Sequence, residues 1–184
     1  MATLTDLLDR LLPQTQCRRC GYDGCRPYAE AMAEHSAPAN RCPPGGPSTL
    51  AALAAALGRE PLPLEPSTGS FAPPTVAVID EALCIGCAKC LPACPVDAIV
   101  GARRYMHTVL AADCSGCDLC LPACPVDCIS MQPAAAAPLT PAEISDRALA
   151  YRNRMDARSA REERARAANL AALLAASHAA PGPT

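Results

Sequence analysis

The sequence predicts an α+β protein in which a small helical module comes first, a domain with short strands follows, and a helix ends the chain. Three observations predict this fold class. Residues 81–99 and 111–129 are two copies of one motif, 30 residues apart. Helix-type patterns flank this repeat on both sides, and twelve of the thirteen cysteines fall into three groups of four. The chain has no Trp and one Phe, so it cannot build a large aromatic core. Small domains with so limited a core usually need metal sites or disulfides to be stable.

The helical module is predicted over residues 1–59. Residues 3–12 place leucines on one face behind a capping box, so they predict a helix. Pro27 suits the first turn of a second helix. Ser48 is expected to cap a third, Ala/Leu-rich helix, which Gly58 ends.

The middle of the chain predicts a linker and a second domain. Residues 60–74 carry five prolines, which is typical of a stiff connection. Residues 75–133 contain the repeat, with short strands expected at 76–79 and 106–110.

Residues 134–184 predict an Ala/Arg-rich helix and a disordered end. Thr140 is the expected cap, Pro141 the first helical residue, and Ser177 the approximate end. Seven arginines lie along it, and its apolar stripe, formed by Ile144, Ala148, Tyr151 and Met155, is short. A basic helix can bind a membrane surface or nucleic acid, but we favour a solvated or partner-docking helix.

Each copy of the repeat carries the run C-x2-C-x2-C-x3-C-P. Three close cysteines can wrap three corners of an iron–sulfur cube, and in two-cluster bacterial proteins the fourth cysteine ligates the other cluster. The run therefore predicts two 4Fe–4S clusters with crossed ligands. Zinc sites typically use separate C-x2-C knuckles, so zinc is the weaker interpretation here. The predicted sets are Cys84, Cys87, Cys90 and Cys124, and Cys114, Cys117, Cys120 and Cys94.

Apolar residues near these cysteines are expected to keep water off the clusters. They are Ile85, Val96, Ile99, Val126 and Ile129.

A third set of cysteines lies in the helical module with the spacing C-x2-C-x4-C-x16-C. It predicts a third 4Fe–4S cluster, although zinc is a more serious alternative here and a redox dithiol at Cys17 and Cys20 a lesser one. Several arginines crowd this set, where they would raise the potential of the cluster, dock an acidic partner, or form a solvated surface. The cysteines are Cys17, Cys20, Cys25 and Cys42, and the arginines are Arg18, Arg19, Arg26 and Arg41.

The remaining candidates are expected to bind no metal. Cys128 has Ala98 as its counterpart in the first copy, which indicates a small buried residue rather than a ligand. His35, His107 and His178 are isolated in the sequence.

Composition and motifs narrow the function further. No haem-attachment, dinucleotide-binding or phosphate-binding motif occurs, so we expect no nucleotide cofactor site and no catalytic site of the chain's own. The net charge of −2 favours no class of partner. The first residues lack a basic region and no apolar run reaches 18 residues, so neither a signal peptide nor a membrane span is expected.

The segments PQTQCRRCGYDGCRPYAEAM, NRCPPGG and DEALCIGCAKC…DCSGCDLCLPACPVDCI together resemble the B subunit of the Rnf/Rsx electron-transport complex, over about residues 4–131. The resemblance implies a 4Fe–4S cluster on the first four cysteines. It also implies a bacterial inner-membrane complex that moves electrons between nicotinamide or ferredoxin and other carriers, coupled to ion movement. Members of that family usually begin with a membrane-spanning helix, which we do not find here.

We therefore expect electron transfer through three 4Fe–4S clusters, in an Rnf-like complex or a soluble relative of one. The expected partners are redox proteins, including components of such a complex. The expected location is the cytoplasm, at most peripherally on the inner membrane. Two alternatives are a free-standing cytosolic ferredoxin and a redox-sensing nucleic-acid-binding protein, although nucleic acid is not favoured.

Overall fold

The computed structural model describes residues 2–134 and 140–179, with side chains up to residue 176. Five α-helices and four short strands follow one another along this part of the chain. In chain order they are α1 (Leu4–Leu11), α2 (Cys25–Ala33), α3 (Gly46–Ala56), β1 (Thr75–Ile79), α4 (Cys90–Ala93), β2 (Ile99–Val100), β3 (Thr108–Val109), β4 (Ile129–Pro133) and α5 (Pro141–Ala179). The predicted α+β class is confirmed. The predicted disordered end lies outside the described residues.

The first three helices enclose one small core. The capping box predicted for α1 is present, because the Thr3 hydroxyl accepts from the Asp6 backbone and the Asp6 carboxylate accepts from the Thr3 backbone. The buried core then combines helix residues with three of the four cysteines of this module. Its largest members are Leu8, Leu12, Tyr28, Met32 and Leu53.

The start of α3 differs from the prediction. A 3₁₀ turn at Pro43–Gly45 leads directly into a helix that begins at Gly46, so Ser48 lies inside the first turn and caps nothing. Proline at the second helical position lacks the N–H that a cap would satisfy, which removes part of the need for Ser48. The predicted end is confirmed, since the helix stops at Ala56 and Gly58 adopts a positive φ of 63°.

The Pro-rich segment lies against the first module. The Glu65 N–H donates to the carbonyl of Asn40 at 2.9 Å, and the Asn40 amide donates to the carbonyl of Pro63 at 2.7 Å. A short 3₁₀ turn at Pro66–Thr68 follows, and Thr68 is buried. These contacts fix the start of the second half of the chain relative to the helices.

Two small antiparallel sheets repeat each other. β1 pairs with β4 so that Ile79 faces Ile129, and β3 pairs with β2 so that Val109 faces Ile99. A shift of 30 residues converts one pairing into the other, so the sequence repeat folds as a pseudo-twofold unit. The two strands of each sheet come from different ends of the repeat, which places residues of both copies around each sheet.

The helix α5 packs its first half on both preceding parts of the chain. Tyr151 is buried, and its hydroxyl donates to the carbonyl of Cys114 at 3.0 Å. Arg152 pairs with Asp9 of α1 at 2.8 Å. The predicted stripe is only partly correct, since Ile144 stays half exposed. No helix among residues 2–134 and 140–179 has both the length and the apolar character needed to cross a bilayer.

Candidate iron–sulfur sites

The four cysteines of the first module converge from three segments. Cys17 and Cys20 lie in the loop after α1, Cys25 begins α2, and Cys42 precedes the 3₁₀ turn. Burial raises the pKa of Cys42 to about 12, and the neighbouring thiols of Cys17 and Cys20 contribute to that rise. Burial also raises the pKa of Cys25, and the thiols of Cys42, Cys17 and Cys20 contribute to that rise. The four thiols therefore lie close together, as a common ligand set requires.

Tyr28 holds the segment that carries Cys42. Its hydroxyl donates to the carbonyl of Pro38 at 2.7 Å and accepts from the N–H of Arg41 at 3.1 Å. The Arg41 guanidinium donates in turn to the carbonyl of Cys20 at 3.0 Å. Arg41 is thus the arginine that faces the thiols among the four predicted to crowd the set.

The other three arginines of this group pair with carboxylates. Arg26 lies 2.9 Å from Asp6, and Arg18 lies 3.6 Å from Asp23. Arg19 pairs with Asp118 of the repeat. Most of the predicted positive patch is therefore neutralised within the chain.

A buried polar chain supports the start of α2, and sequence reasoning missed it. The Cys25 N–H donates to the Gln16 side chain at 2.9 Å, and Gln16 donates to Gln14 at 2.9 Å. Gln14 donates to the carboxylate of Asp9 at 2.9 Å, and Arg152 completes the chain from α5. The sequence signal for this hydrogen-bonded chain was the presence of two glutamines, Gln14 and Gln16, just before Cys17.

The thiol of Cys124 lies with those of the other copy. Burial raises the pKa of Cys90, and the nearby thiols of Cys87, Cys84 and Cys124 raise it further. Cys124 follows Leu121 in the second copy, whereas the other three wrap one loop of the first copy. The first predicted crossed set is thus brought together.

The second predicted crossed set surrounds a small cavity between the sheets. Its lining includes all four cysteines of that set together with apolar side chains of both copies. Burial raises the pKa of Cys117 to about 11 and that of Cys120 to about 12, and Cys94 contributes to both. Four thiols around an apolar cavity fit the donor set of a 4Fe–4S cluster. The cysteines are Cys94, Cys114, Cys117 and Cys120.

The loops that wrap both sets need glycine at matching positions. Gly86 and Gly116 have φ values of 66° and 68°, and a side chain at either would overlap backbone atoms, of Tyr105 or of Thr75. The left-handed conformation turns the chain tightly between the first two cysteines of each run. Within the described residues, no three His, Cys, Asp or Glu side chains form a group that would hold a single metal ion.

Comparisons with known proteins agree with this geometry. A model of a 4Fe-4S dicluster domain matches residues 77–131, and a model described as "Putative Fe-S cluster" matches residues 12–44. The B subunit of the ion-translocating oxidoreductase complex of Alkalilimnicola ehrlichii is 63% identical over 132 residues, which cover 71% of this chain and 70% of that protein. The B subunit of the same complex of Azoarcus sp. is 61% identical over 130 residues, 71% of each chain. This chain belongs to the family of these B subunits.

A further member of the family, from Escherichia coli O1:K1 / APEC, is 56% identical over 136 residues, which are 73% of this chain and 71% of that protein. No solved structure matches the chain. The resemblance inferred from the cysteine motifs is confirmed. The function of this family member is electron transfer, and its cofactors are iron–sulfur clusters of the 4Fe–4S type.

The two crossed sets differ in how much of each the helix α5 covers. Arg158 is buried, and its guanidinium donates to the carbonyls of Leu91, Pro92 and Cys94 at the end of α4. Arg154 donates to the carbonyl of Val96 at 2.7 Å. α5 thereby covers the turn that carries Cys94, a role that the composition of the tail did not reveal.

Helix α5 leaves the loop of Cys84 and Cys87 uncovered. Leu83, Ile85, Tyr105 and Met106 are each more than half exposed. The prediction that Ile85 and Val126 shield the clusters is wrong, because both point to the surface, whereas Val96, Ile99 and Ile129 are buried as predicted.

The histidines occupy different surroundings. His107 is isolated in the sequence but fully buried in the fold, with Nδ1 3.4 Å from Sγ of Cys84. His35 lies beyond the end of α2, is exposed and contacts Arg59, and the side chain of His178 lies outside the described residues. The signal for His107 was available, because the 30-residue period aligns it with Ala77, inside a predicted strand.

Proposed function

We propose that this chain relays electrons through three 4Fe–4S clusters as a subunit of an ion-translocating oxidoreductase complex. One observation supports it above the others: Cys124 lies with the three close cysteines of the first copy, and Cys94 with those of the second. The proposed ligands are Cys17, Cys20, Cys25 and Cys42; Cys84, Cys87, Cys90 and Cys124; and Cys94, Cys114, Cys117 and Cys120.

The protein's part is to hold the ligands and exclude water. When bound, the clusters supply one-electron chemistry at a potential that hydrogen bonds and burial adjust. Because burial raises the pKa of thiols such as Cys42 and Cys120, these groups are protonated before a cluster binds. Each gives up its proton on binding iron, so acid opposes assembly.

The contacts between the modules support an order of electron transfer. The Ser115 hydroxyl donates to the carbonyl of Thr15 at 2.9 Å, and Arg19 pairs with Asp118. Both contacts join the segment around Cys17 to the loop of Cys114. Electrons would pass between the first module and the Cys114 set, and then to the Cys84 set.

The surface beside the Cys84 set is the proposed contact with a redox partner. Leu83, Ile85, Tyr105 and Met106 are exposed there. Arg103 and Arg104 are exposed on the same loop, and the Arg104 N–H donates to the carbonyl of Gly86 at 2.9 Å. An apolar surface with a basic flank suits a redox protein that presents acidic residues.

The first experiment counts iron, sulfide and zinc in protein purified without oxygen. Three clusters give about twelve iron and twelve sulfide per chain. About eight iron with one zinc would contradict the cluster in the first module and leave the other two in place.

The second experiment tests the partner and the location. The tagged chain, expressed in its bacterial host, should purify with the other components of the complex, and Arg103→Glu with Arg104→Glu should weaken this. Arg166→Glu, on the exposed far part of α5, is the matched control. Equal recovery of those components from both proteins would contradict the proposed surface.

We further propose that the protein lies at the cytoplasmic face of the inner membrane, held by its partners. The support is the name of its relatives, which are subunits of an ion-translocating complex. Protein held only by electrostatic attraction to lipid should leave the membrane in high salt, since salt screens that attraction. Binding of the chain to membranes from cells that lack the other components of the complex would contradict attachment through partners, and resistance to alkaline washing would contradict peripheral attachment.

The structure gives less support to nucleic-acid binding. Arg152, Arg154, Arg158 and Arg161 of the tail are all engaged with groups of the chain itself. Binding of DNA through this helix would require these contacts to break.

A further inference from the structure

The two copies of the repeat differ at two positions that lie beside ligand sulfurs. The 30-residue period aligns Ala77 with His107 and Ala98 with Cys128. In both cases one copy has an alanine, which carries no side-chain donor, and the other has a residue that carries one.

Beside the Cys94 and Cys114 sulfurs, the donors are backbone groups. The Ala77 N–H lies 3.4 Å from Sγ of Cys114, and the Ala98 N–H lies 3.2 Å from Sγ of Cys94. The alanine side chains add nothing to these two hydrogen bonds.

Beside Cys84, the imidazole of His107 takes the equivalent place. Nδ1 lies 3.4 Å from Sγ of Cys84, and the residue is 1% exposed. A cysteine bound to iron is a thiolate, which only accepts, so the shared proton must lie on Nδ1. Nε2 is buried without a partner among the described residues.

The backbone opposite His107 is adapted to the ring. Gly101 has a φ of 150°, and a side chain there would overlap Cδ2 and Cγ of the imidazole. The equivalent residue of the other copy, Met131, faces Ala77 across β1 and β4. Glycine is therefore present where the histidine needs space.

Beside Cys124, the thiol of Cys128 is the additional group. It is buried, and the two sulfurs lie 3.4 Å apart. Because a cysteine bound to iron is a thiolate, the hydrogen between the two sulfurs belongs to Cys128. Cys128 therefore donates its S–H to the sulfur of Cys124.

Both differences fall on one cluster because the ligands are crossed. Cys84 comes from the first copy and Cys124 from the second, yet the proposed ligand sets place them on the same cluster. Without the crossing, His107 and Cys128 would act on different clusters.

We propose that His107 and Cys128 are positioning residues that donate hydrogen bonds to the sulfurs of Cys84 and Cys124 and raise the reduction potential of that cluster alone. The proposal rests on the ligand sets proposed above. Reduction adds negative charge that the ligand sulfurs share, so a donor stabilises the reduced cluster more than the oxidised one. The pseudo-twofold unit would thus hold two clusters that differ electronically although their ligand motifs are the same.

The test is a redox titration of the full chain with its clusters, followed by electron paramagnetic resonance and by iron analysis. Cys128→Ala should keep all the iron, because alanine occupies the equivalent position 98, and it should lower one midpoint potential. His107→Leu should lower the same midpoint. His107→Asn places a donor near the position of Nδ1 and should restore part of the shift.

Ala98→Cys is the matched reciprocal variant. It places a thiol beside Cys94 and should raise a midpoint different from the one that Cys128→Ala lowers. Unchanged midpoints with full iron content, or shifts of two different midpoints in Cys128→Ala and His107→Leu, would overturn the proposal. Loss of iron from Cys128→Ala would also overturn it, because Cys128 would then be a ligand. A wild-type chain with too little iron would instead contradict the ligand sets.

Discussion

The two copies of the repeat share a cysteine run but differ in what surrounds it. The turn that carries Cys94 lies beneath α5, where Arg158 donates to its carbonyls and Tyr151 reaches the carbonyl of Cys114. The equivalent turn at Cys124 has exposed neighbours, Pro125 and Val126. The repeat thus sets the positions of the proposed ligands, whereas the segments outside it decide which of the two sites α5 covers. The covered site is that of Cys94, Cys114, Cys117 and Cys120, and the open site is that of Cys84, Cys87, Cys90 and Cys124.

The largest effect on stability is expected from Arg158→Met at the covered site. Methionine keeps part of the volume but leaves the carbonyls of Leu91, Pro92 and Cys94 without their buried charged donor. Hydrogen bonds to charged groups contribute about 1.5–3 kcal/mol each, and we expect a loss of about 3 kcal/mol in the free energy of unfolding. The measurement is urea unfolding under argon, followed by cluster absorbance.

Arg166→Met is the control for that variant, since Arg166 lies on the exposed part of α5. It should change the free energy of unfolding by less than about 0.5 kcal/mol. Equal effects of the two variants would mean that α5 does not stabilise the covered site.

A smaller effect is expected from Gly101→Ala at the open site. The added methyl group would overlap the buried ring of His107, and the φ of 150° is unfavourable for alanine. Such strain costs about 1–3 kcal/mol. On exposure to air, the variant should lose the cluster of the open site faster than the wild type does, while the cluster of the covered site persists. Iron counts and electron paramagnetic resonance spectra recorded over time measure this.

Gly69→Ala provides the control for backbone strain alone. Gly69 has a φ of 100° with open space around it. Gly69→Ala should leave both clusters of the repeat as stable as in the wild type. Equal cluster loss in Gly69→Ala and Gly101→Ala would show that the contact with His107 does not matter.

The smallest effect is expected from Arg19→Ala, which removes an ion pair between the first module and the covered site. Both side chains are about one-third exposed, and exposed ion pairs contribute about 0–1 kcal/mol. The free energy of unfolding should fall by at most that amount and should depend on salt. A loss several times larger would mean that this pair, rather than α5 and Ser115, holds the two modules together.

The sequence predicted the local features of the cysteine runs and helix starts, but not the packing of segments that lie far apart in the chain. The cysteine spacing predicted which thiols the fold brings together, and the capping box predicted where α1 and α5 begin, because these signals act within a few residues. The packing of α5 was not predictable, because its contacts join Arg158 to a turn more than sixty residues away. Arginine composition alone does not distinguish a solvated helix from one that donates to buried carbonyls.

Two individual residues show the same limit. Ile85 has an apolar side chain and was expected inside, but its place in the loop between the first two cysteines of the run points it outwards. His107 looked isolated because its partner sulfur lies 23 positions earlier in the chain. Both outcomes depend on how the loop around the cluster is oriented, which spacing does not determine.

The most direct test of the central claim, that the two copies exchange their fourth ligand, is the iron content of two double variants. If Cys94 and Cys114 serve one cluster, Cys94→Ala with Cys114→Ala should remove only that cluster and leave about eight iron per chain. Cys94→Ala with Cys84→Ala should remove ligands from two clusters and leave about four. The reverse result, about four iron in the first double variant and about eight in the second, would show that each copy holds its own cluster and would contradict the account.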